Sequence, residues 1–402
     1  MPQFQYTAIK KDGKKIQGKY NSDTKEEVIL MLKENDYYPV NVVLSTGSKD
    51  IKISSFTKVK SKDIAIFSRQ FYTMLNAGVN ILYSLDILRY QTKNSKLKKA
   101  ITEIYEDVQK GMIFSDALDK HGHIFPKLFL NMARAGESSG NLDVIMEKMA
   151  QHYEKENKIN NKIRSAMIYP IILSLVAFLV VIFLITIVMP TFVSMFESSG
   201  VALPLPTKIL LEISDFIKKY WYFLFFAIIV FIYIVRKYSR SNRGMYKIDK
   251  FKLKVPILKN TLKMIITSRF TRTLSLLQSS GISLIESLEL TSKILGNKAA
   301  SDFINYSKEE VKRGNSLGDT IDGTSLFPPM LSAMVKIGEE SGSLDEILNK
   351  TADFYDDEVE SSIEKFTTML EPIMIIFMAI IIGSIVMAMV LPMFDMINTI
   401  SF

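Results

Sequence analysis

GESSGNLD, Gly136 to Asp143, is written a second time as GEESGSLD, Gly338 to Asp345. Outward from this pair the two stretches keep matching. Phe125-Pro126 returns as Phe327-Pro328, and KGMIFSDAL (Lys110 to Leu118) as RGNSLGDTI (Arg313 to Ile321). FSRQFYTMLNAGV (Phe67 to Val79) returns as FTRTLSLLQSSGI (Phe270 to Ile282), with Arg69 over Arg272 and Gly78 over Gly281. Downstream, Tyr169-Pro170 meets Glu371-Pro372, and Pro190 meets Pro392. The offset is 203 residues early and 202 later, so one single-residue gap aligns two copies of one domain plan. A repeat of this length sets the architecture before any local reading does.

Each copy runs from a soluble stretch into an apolar one. No charge lies between Arg164 and Glu197, and 23 uncharged residues separate Glu371 from Asp395. Both exceed the roughly 20 residues that cross a hydrocarbon core. A third apolar run, Tyr220 to Val235, has 16 residues, with Lys218 and Lys219 able to snorkel and Tyr220, Trp221 and Tyr222 suited to an interface. The expectation is a mainly α polytopic membrane protein with three transmembrane helices, over 168–190, 220–235 and 371–394. Residues 236–263 carry ten basic residues and one acid, whereas 191–219 carry three of each. Positive loops stay in the cytoplasm. Both repeats, 61–167 and 264–370, are therefore expected there, with 191–219 and a tail, 395–402, outside.

Residues 1–45 read as a small α/β unit: strands at Phe4 to Ile9, Ile16 to Tyr20 and Pro39 to Leu44, and a helix from Asp23 to Asn35 capped by Asp23 or Ser22. A Ser- and Lys-rich linker, 46–60, follows. Each repeat reads as about six short helices in an antiparallel bundle. Gly78 and Gly281 mark turns, and Ser343 and Glu346 have the spacing of a capping box. A helix, Thr207 to Lys219, is expected in the outer loop. The prolines Pro170, Pro190, Pro372 and Pro392 read as bends in the spans.

With 402 residues, 48% hydrophobic and 23% charged, the chain can build more than one core. It has no Cys, which excludes disulfides, thiolate metal sites and a Cys nucleophile. MPQFQYTAIKK holds no apolar run of a signal peptide, so insertion is expected to rest on the internal spans. His121, His123 and His152 lack zinc spacing, and the glycine pairs Gly136/Gly140 and Gly338/Gly342 lack the Lys-Ser/Thr of a phosphate loop. One glycine of each pair suits a left-handed helix end and the other a close approach. Glu137 and Glu339 beside them are either helix caps or contacts for a motor or partner domain. Glu371, at the edge of the third span, either reaches headgroups or pairs inside an assembly. The basic stretch 236–263 is expected to meet anionic lipid. The acidic stretch Asp345 to Glu364 is either a solvated face or a dock for a basic surface.

The doubled series F-x-R, K/R-G-x-x-x-x-D, F-P, G-E-x-S-G-x-L-D and the span prolines resembles the type II secretion F-domain family over essentially the whole chain. Its members are inner-membrane platform proteins of type IV pilus and type II secretion machines. One departure is Asn80, with Ser283 in the second copy, where the family's G-x-P-L turn has Pro. The resemblance implies a non-enzymatic machine part without cofactor or nucleic acid. It implies cytoplasmic domains that engage a hexameric assembly ATPase, and spans that guide pilins or pseudopilins among other inner-membrane assembly proteins. A homo-oligomer is expected. The alternative is a transporter or channel made of duplicated halves, which fits less well because three spans are few and most of the mass is soluble.

Overall fold

The computed structural model describes residues 3–10, 15–44, 58–192 and 205–400. They fall into two compact units, one up to Lys58 and one from Val59.

The first unit has β1 (Gln3–Lys10), β2 (Lys15–Asn21), α1 (Lys25–Glu34) and β3 (Tyr37–Leu44), with strand order β2-β1-β3, all antiparallel. Alternation along β1 turns Phe4 and Ala8 inward, where Val28 and Leu32 of α1 and Val42 of β3 complete a small core. The cap of α1 is Thr24, whose side chain accepts from the Glu27 N–H, and not Asp23 or Ser22. The Ser22 hydroxyl is taken instead by the Glu27 carboxylate. Apart from residues 58–60, the expected linker lies outside the described residues.

The second unit is helical, and its helices repeat. The first copy comprises α2 (Ser61–Asn76), α3 (Ile81–Gln91), α4 (Ser95–Gln109), α5 (Phe114–Asp119), α6 (Lys127–Ser139) and α7 (Leu142–Phe183). Between the copies stand α8 (Leu205–Tyr238) and α9 (Asn242–Lys252). The second copy comprises α10 (Pro256–Gln278), α11 (Leu284–Ser292), α12 (Lys298–Lys312), α13 (Leu317–Ile321), α14 (Pro329–Ser341) and α15 (Leu344–Ile400). The basic stretch 236–263 is thus largely helical, and α10 starts early because Pro256 suits a first helical turn. Residues 395–400, read from sequence as part of a tail, continue α15.

The cores match position for position. Phe67, Phe71, Phe114, Phe125 and Phe129 fill the first, with ring centroids 5.2–6.0 Å apart. The counterparts in the second are Phe270, Leu274, Leu317, Phe327 and Leu331. Leu276, Leu277 and Leu290 of the second copy join the core of the first, so the two bundles are packed together. The expected capping box at α15 is absent: the Ser343 hydroxyl meets Ser341, and Glu346 turns to Lys350. The i,i+4 ion pair takes the carboxylate that the box needed.

Among the described residues two helices are each long and apolar enough to cross a membrane, Leu142–Phe192 and Leu344–Val390. Their apolar parts expose large side chains, Ile171 at 60%, Phe178 at 62% and Ile380 at 65%. Such a surface needs lipid around it. α8 has one non-helical residue, Tyr220 (φ −117°, ψ 18°), and its segments Leu205–Phe223 and Phe225–Tyr238 meet at 56°. α7 runs through Pro170 without a break in the helix, then passes into a π turn over Leu184–Val188. That turn has a local consequence. The Met189 N–H bonds to the Leu184 carbonyl, and Pro190 has no N–H to offer, so the Ile185 carbonyl loses its backbone donor. Ser214 of α8 supplies one, its hydroxyl donating at 3.0 Å. Thr207 likewise donates to the Ala388 carbonyl at 2.5 Å, and Ile185, Ile385, Met389 and Leu210 pack around these bonds. The first half of α8 is thereby held against both long helices.

Candidate functional site

The chemistry-bearing side chains of both copies gather along α7 and α15, the helices that leave the bundles for the apolar runs. Farthest from those runs is the doubled G-E-x-S-G turn. Gly140 and Gly342 end α6 and α14 at φ 73° and 67°, a conformation that costs an L side chain. A Cβ on Gly136 would lie 2.8 Å from Ile145, and one on Gly338 would lie 2.9 Å from Leu344, so each glycine lets the next helix pack close. Between them Glu137 accepts from the Phe114 and Ser115 N–H groups, both at 2.8 Å. Glu339 accepts from the Leu317 and Gly318 N–H groups at 2.8 and 2.9 Å and from the Ser316 hydroxyl at 2.6 Å. Each carboxylate therefore caps the short helix α5 or α13 that precedes it in the chain, where unpaired N–H groups and the helix dipole favour an anion.

About three turns along α7 and α15, an arginine clamps the first helix of each copy to the last. Arg69 binds Glu154 through two bonds, 2.8 and 2.6 Å. Arg272 binds Asp356, whose other oxygen accepts from the Ser268 hydroxyl at 2.6 Å, and also Asp353 at 2.8 Å. Glu154 and Asp356 are themselves 202 residues apart, so the clamp is duplicated with the fold. Its setting is not. The Arg69 and Glu154 side chains are 38% and 44% exposed, those of Arg272 and Asp356 15% and 18%. The bond to Arg69 holds the Glu154 carboxyl below its ordinary pKa.

Arg272 is covered because the two copies meet there. His152, Lys155 and Glu156 of α7 line the same small cavity as Ser268, Arg269, Arg272 and Asp356. His152 is buried and its Nδ1 has no partner. Burial, aided by Arg272 and Arg269, depresses its pKa to about 4. Burial pushes the Glu156 carboxyl up, and the Arg269 charge opposes this. Tyr153 and Tyr355, again equivalent positions, are buried with unpaired hydroxyls, and burial raises both pKa values, that of Tyr355 to about 12. Lys148 crosses to Ser279, donating to its carbonyl at 2.8 Å and its hydroxyl at 3.0 Å.

Nearer the apolar runs the two long helices pair directly. Lys155 meets Asp353 at 2.5 Å, Lys158 meets Glu360 at 3.1 Å, and Lys162 reaches both Glu360 and Glu364. Ile159 and Ile163 pack on Val359 and Ile363 beneath them. Lys158 and Glu360 are equivalent residues of the two copies, as are Lys162 and Glu364. Like positions thus face one another and carry opposite charge. The acidic face of α15 has a basic partner within the chain. At the membrane edge the same relation holds for Tyr169, whose hydroxyl donates to Glu371 at 3.5 Å. Pro372 and Pro392 lie within α15, and Gly78 and Gly281 end α2 and α10 at φ 79° and 78°.

Sequence reasoning found Arg69, Arg272 and the glutamates of the turn but missed Glu154, Asp356, Lys158 and Lys162. The 202-residue offset was the available signal: it aligns acid with acid at 154/356 and base with acid at 158/360 and 162/364. His121 and His123 stand with rings 6.1 Å apart, His121 buried beside Glu103. Among the described residues no group of three or more His, Asp and Glu could hold a metal ion.

The family described as Type II secretion system (T2SS), protein F, matches twice, at residues 67–190 and 270–392, and its N-terminal domain matches residues 1–43. The Type IV pilus assembly protein PilC of Thermus thermophilus is 37% identical over 406 residues, covering 100% of both chains. A protein of the same name from Myxococcus xanthus is 36% identical over 98% of this chain and 95% of its own. Type II secretion system protein F of Vibrio cholerae is 30% identical over 100% of each. The duplicated fold and these full-length likenesses together place the chain in the type II secretion system protein F family.

Proposed function

We propose that this protein is an inner-membrane platform of a type IV pilus or type II secretion machine, and that it passes the work of a cytoplasmic assembly ATPase to pilins or pseudopilins. The observation that carries the reading is the pairing of α7 with α15. Two bundles, each continuous with an apolar helix, are tied by matched lysines and acids directly above the apolar runs. A push on either bundle is then delivered to both helices as one body. Full-length relatives named for pilus assembly and for type II secretion support the same reading. A transporter is not favoured, since the paired acids and bases stand on the soluble stalk rather than within the spans.

On this reading α8 is a third, bent span. Both bundles lie in the cytoplasm beside the motor, the first half of α8 lies outside, and the platform is a homo-oligomer without catalysis of its own. Glu371 is the coupling residue, because it is the acid at the bundle-side edge of the apolar run of α15 and accepts a long bond, 3.5 Å, from Tyr169. The test is a deletion strain of the source bacterium complemented with the wild-type chain or with Lys158→Glu/Lys162→Glu. The wild type restores filaments or secretion, and the charge-reversed chain, at matched level, does not. Restoration by neither, with the wild-type protein present in the inner membrane, would refute the assignment.

A further inference from the structure

α9 begins four residues after α8 ends at Tyr238, a gap of at most about 14 Å of extended chain. It is fixed at both sides. A Cβ on Gly244 would lie 2.0 Å from the Tyr238 carbonyl oxygen, so glycine alone lets α9 fold back against the end of α8. Asp249, buried, accepts from the Lys298 N–H at 2.9 Å, capping α12 of the second bundle, and from Lys252 at 3.0 Å. Gly244, Ile248 and Asp249 face inward. Arg243, Lys247 and Lys250, at helical spacing, form the outward face, flanked by Tyr246 and by Phe251, which is 68% exposed. Asp249 is the one acid between Arg236 and Lys263, and it is spent on the inward side. The outward face is therefore purely basic, with an aromatic ring on either edge.

We infer that this face of α9 binds the surface of an anionic lipid bilayer and, through Gly244 and Asp249, sets the second bundle at a fixed height and tilt above it. This rests on α8 being a span, and not on the pilus or secretion role. Position selects the occupant: a helix held within a few residues of a span end is in reach of headgroups before it meets any soluble partner. Charge and composition agree, since near-surface Lys and Arg are drawn to anionic leaflets and aromatic rings settle at headgroup depth.

The chain has no Cys, so single probes are clean. Full-length protein with an environment-sensitive fluorophore at Phe251→Cys is reconstituted into equimolar phosphatidylglycerol/phosphatidylcholine vesicles or into phosphatidylcholine alone, with quenchers at headgroup depth. A parallel probe at Phe231→Cys reports on α8 with quenchers deep in the bilayer. The expected result is quenching at 251 that falls severalfold without phosphatidylglycerol, in about 1 M salt, where the Debye length shrinks to about 3 Å, and in Arg243→Gln/Lys247→Gln/Lys250→Gln. Quenching at 231 persists throughout. The lipid and salt arms leave the basic face intact, so misfolding of the triple variant cannot decide the matter. Quenching at 251 indifferent to lipid charge, with 231 still quenched, overturns the inference and leaves the span reading. Shielding of 251 in native membranes but not in lipid vesicles overturns it in favour of an acidic protein partner. Loss of quenching at 231 removes the span and the inference together.

Discussion

Arg69 and Arg272 make the same clamp in two settings, and their removal should differ in cost by a predictable amount. Arg272→Met leaves Asp356, 18% exposed, with the Ser268 hydroxyl and a Lys155 3.6 Å away. Breaking a buried pair costs about 3–5 kcal/mol when the survivor is wholly uncompensated. With Ser268 and Lys155 remaining, and with the Arg272 Nε unpaired already, the figure falls to about 2–3 kcal/mol. Arg69→Met breaks a pair whose side chains are 38% and 44% exposed, which costs about 0.5–1 kcal/mol. Because long helices in separate bundles need not unfold together, the assay is hydrogen exchange of the purified, membrane-reconstituted chain, read on peptides from α10 and α2. At about 1.4 kcal/mol per factor of ten, α10 should exchange about 30- to 140-fold faster in Arg272→Met, and α2 about 2- to 5-fold faster in Arg69→Met. Equal acceleration in the two variants would show that the packing of the copies does not bury the second clamp.

Further outcomes follow from the same contacts. Glu339→Ala, which strips three donors from one cap, should loosen α13 by about 1–2 kcal/mol, and Glu137→Ala should loosen α5 by somewhat less, as read by exchange of those peptides. Tyr153→Phe and Tyr355→Phe remove buried hydroxyls without partners and should leave thermal stability unchanged or raise it, measured by the melting of the reconstituted protein. His152 titrates at about 4 folded against about 6.5 unfolded, so the unfolded chain binds more protons between these values and stability is lost as pH falls from 6.5 to 4. His152→Phe, the residue type of its counterpart Phe354, should flatten that loss. Glu156, pushed up by burial, slopes the opposite way, so the difference between variant and wild-type melting curves is the readout. Glu371→Gln should accumulate normally yet fail to support filament or secretion assembly, while Glu364→Gln, on the soluble stalk, should support it.

The repeated plan was legible in sequence because its strongest signals are backbone signals. Gly140 and Gly342 mark left-handed helix ends, and Phe-Pro at 125–126 and 327–328 marks helix starts, wherever the side chains around them point. What escaped was pairing at a distance. Arg69 stood out through Arg272, but its partner Glu154 lies 85 residues away on a helix whose rotation no local pattern specifies. The acidic run on α15 could be read as a solvated face or as a dock for a basic surface, and no further, because its neutralising lysines belong to the other copy, 198 to 202 residues earlier. Local misreadings had local causes: at Ser343 and Glu346 an i,i+4 lysine outcompeted the box, and at Ser22 a hydroxyl that looked like a cap went to Glu27. The π turn could be suspected from Pro190, but Ser214, which repairs it, is visible only once α8 is laid against α7.

The central claim is that equivalent positions of the two copies, on α7 and α15, face each other within one chain just above the membrane. A short thiol-to-thiol cross-linker applied to Lys158→Cys/Glu360→Cys in native membranes tests it, since these side chains meet at 3.1 Å in the wild type and no other thiol is present. The account predicts an efficient cross-link within a single chain, unchanged on dilution into detergent, and none for Lys158→Cys paired with Lys350→Cys near the far end of α15. Absence of the first product, or its appearance only as a dimer of two chains, would contradict the account.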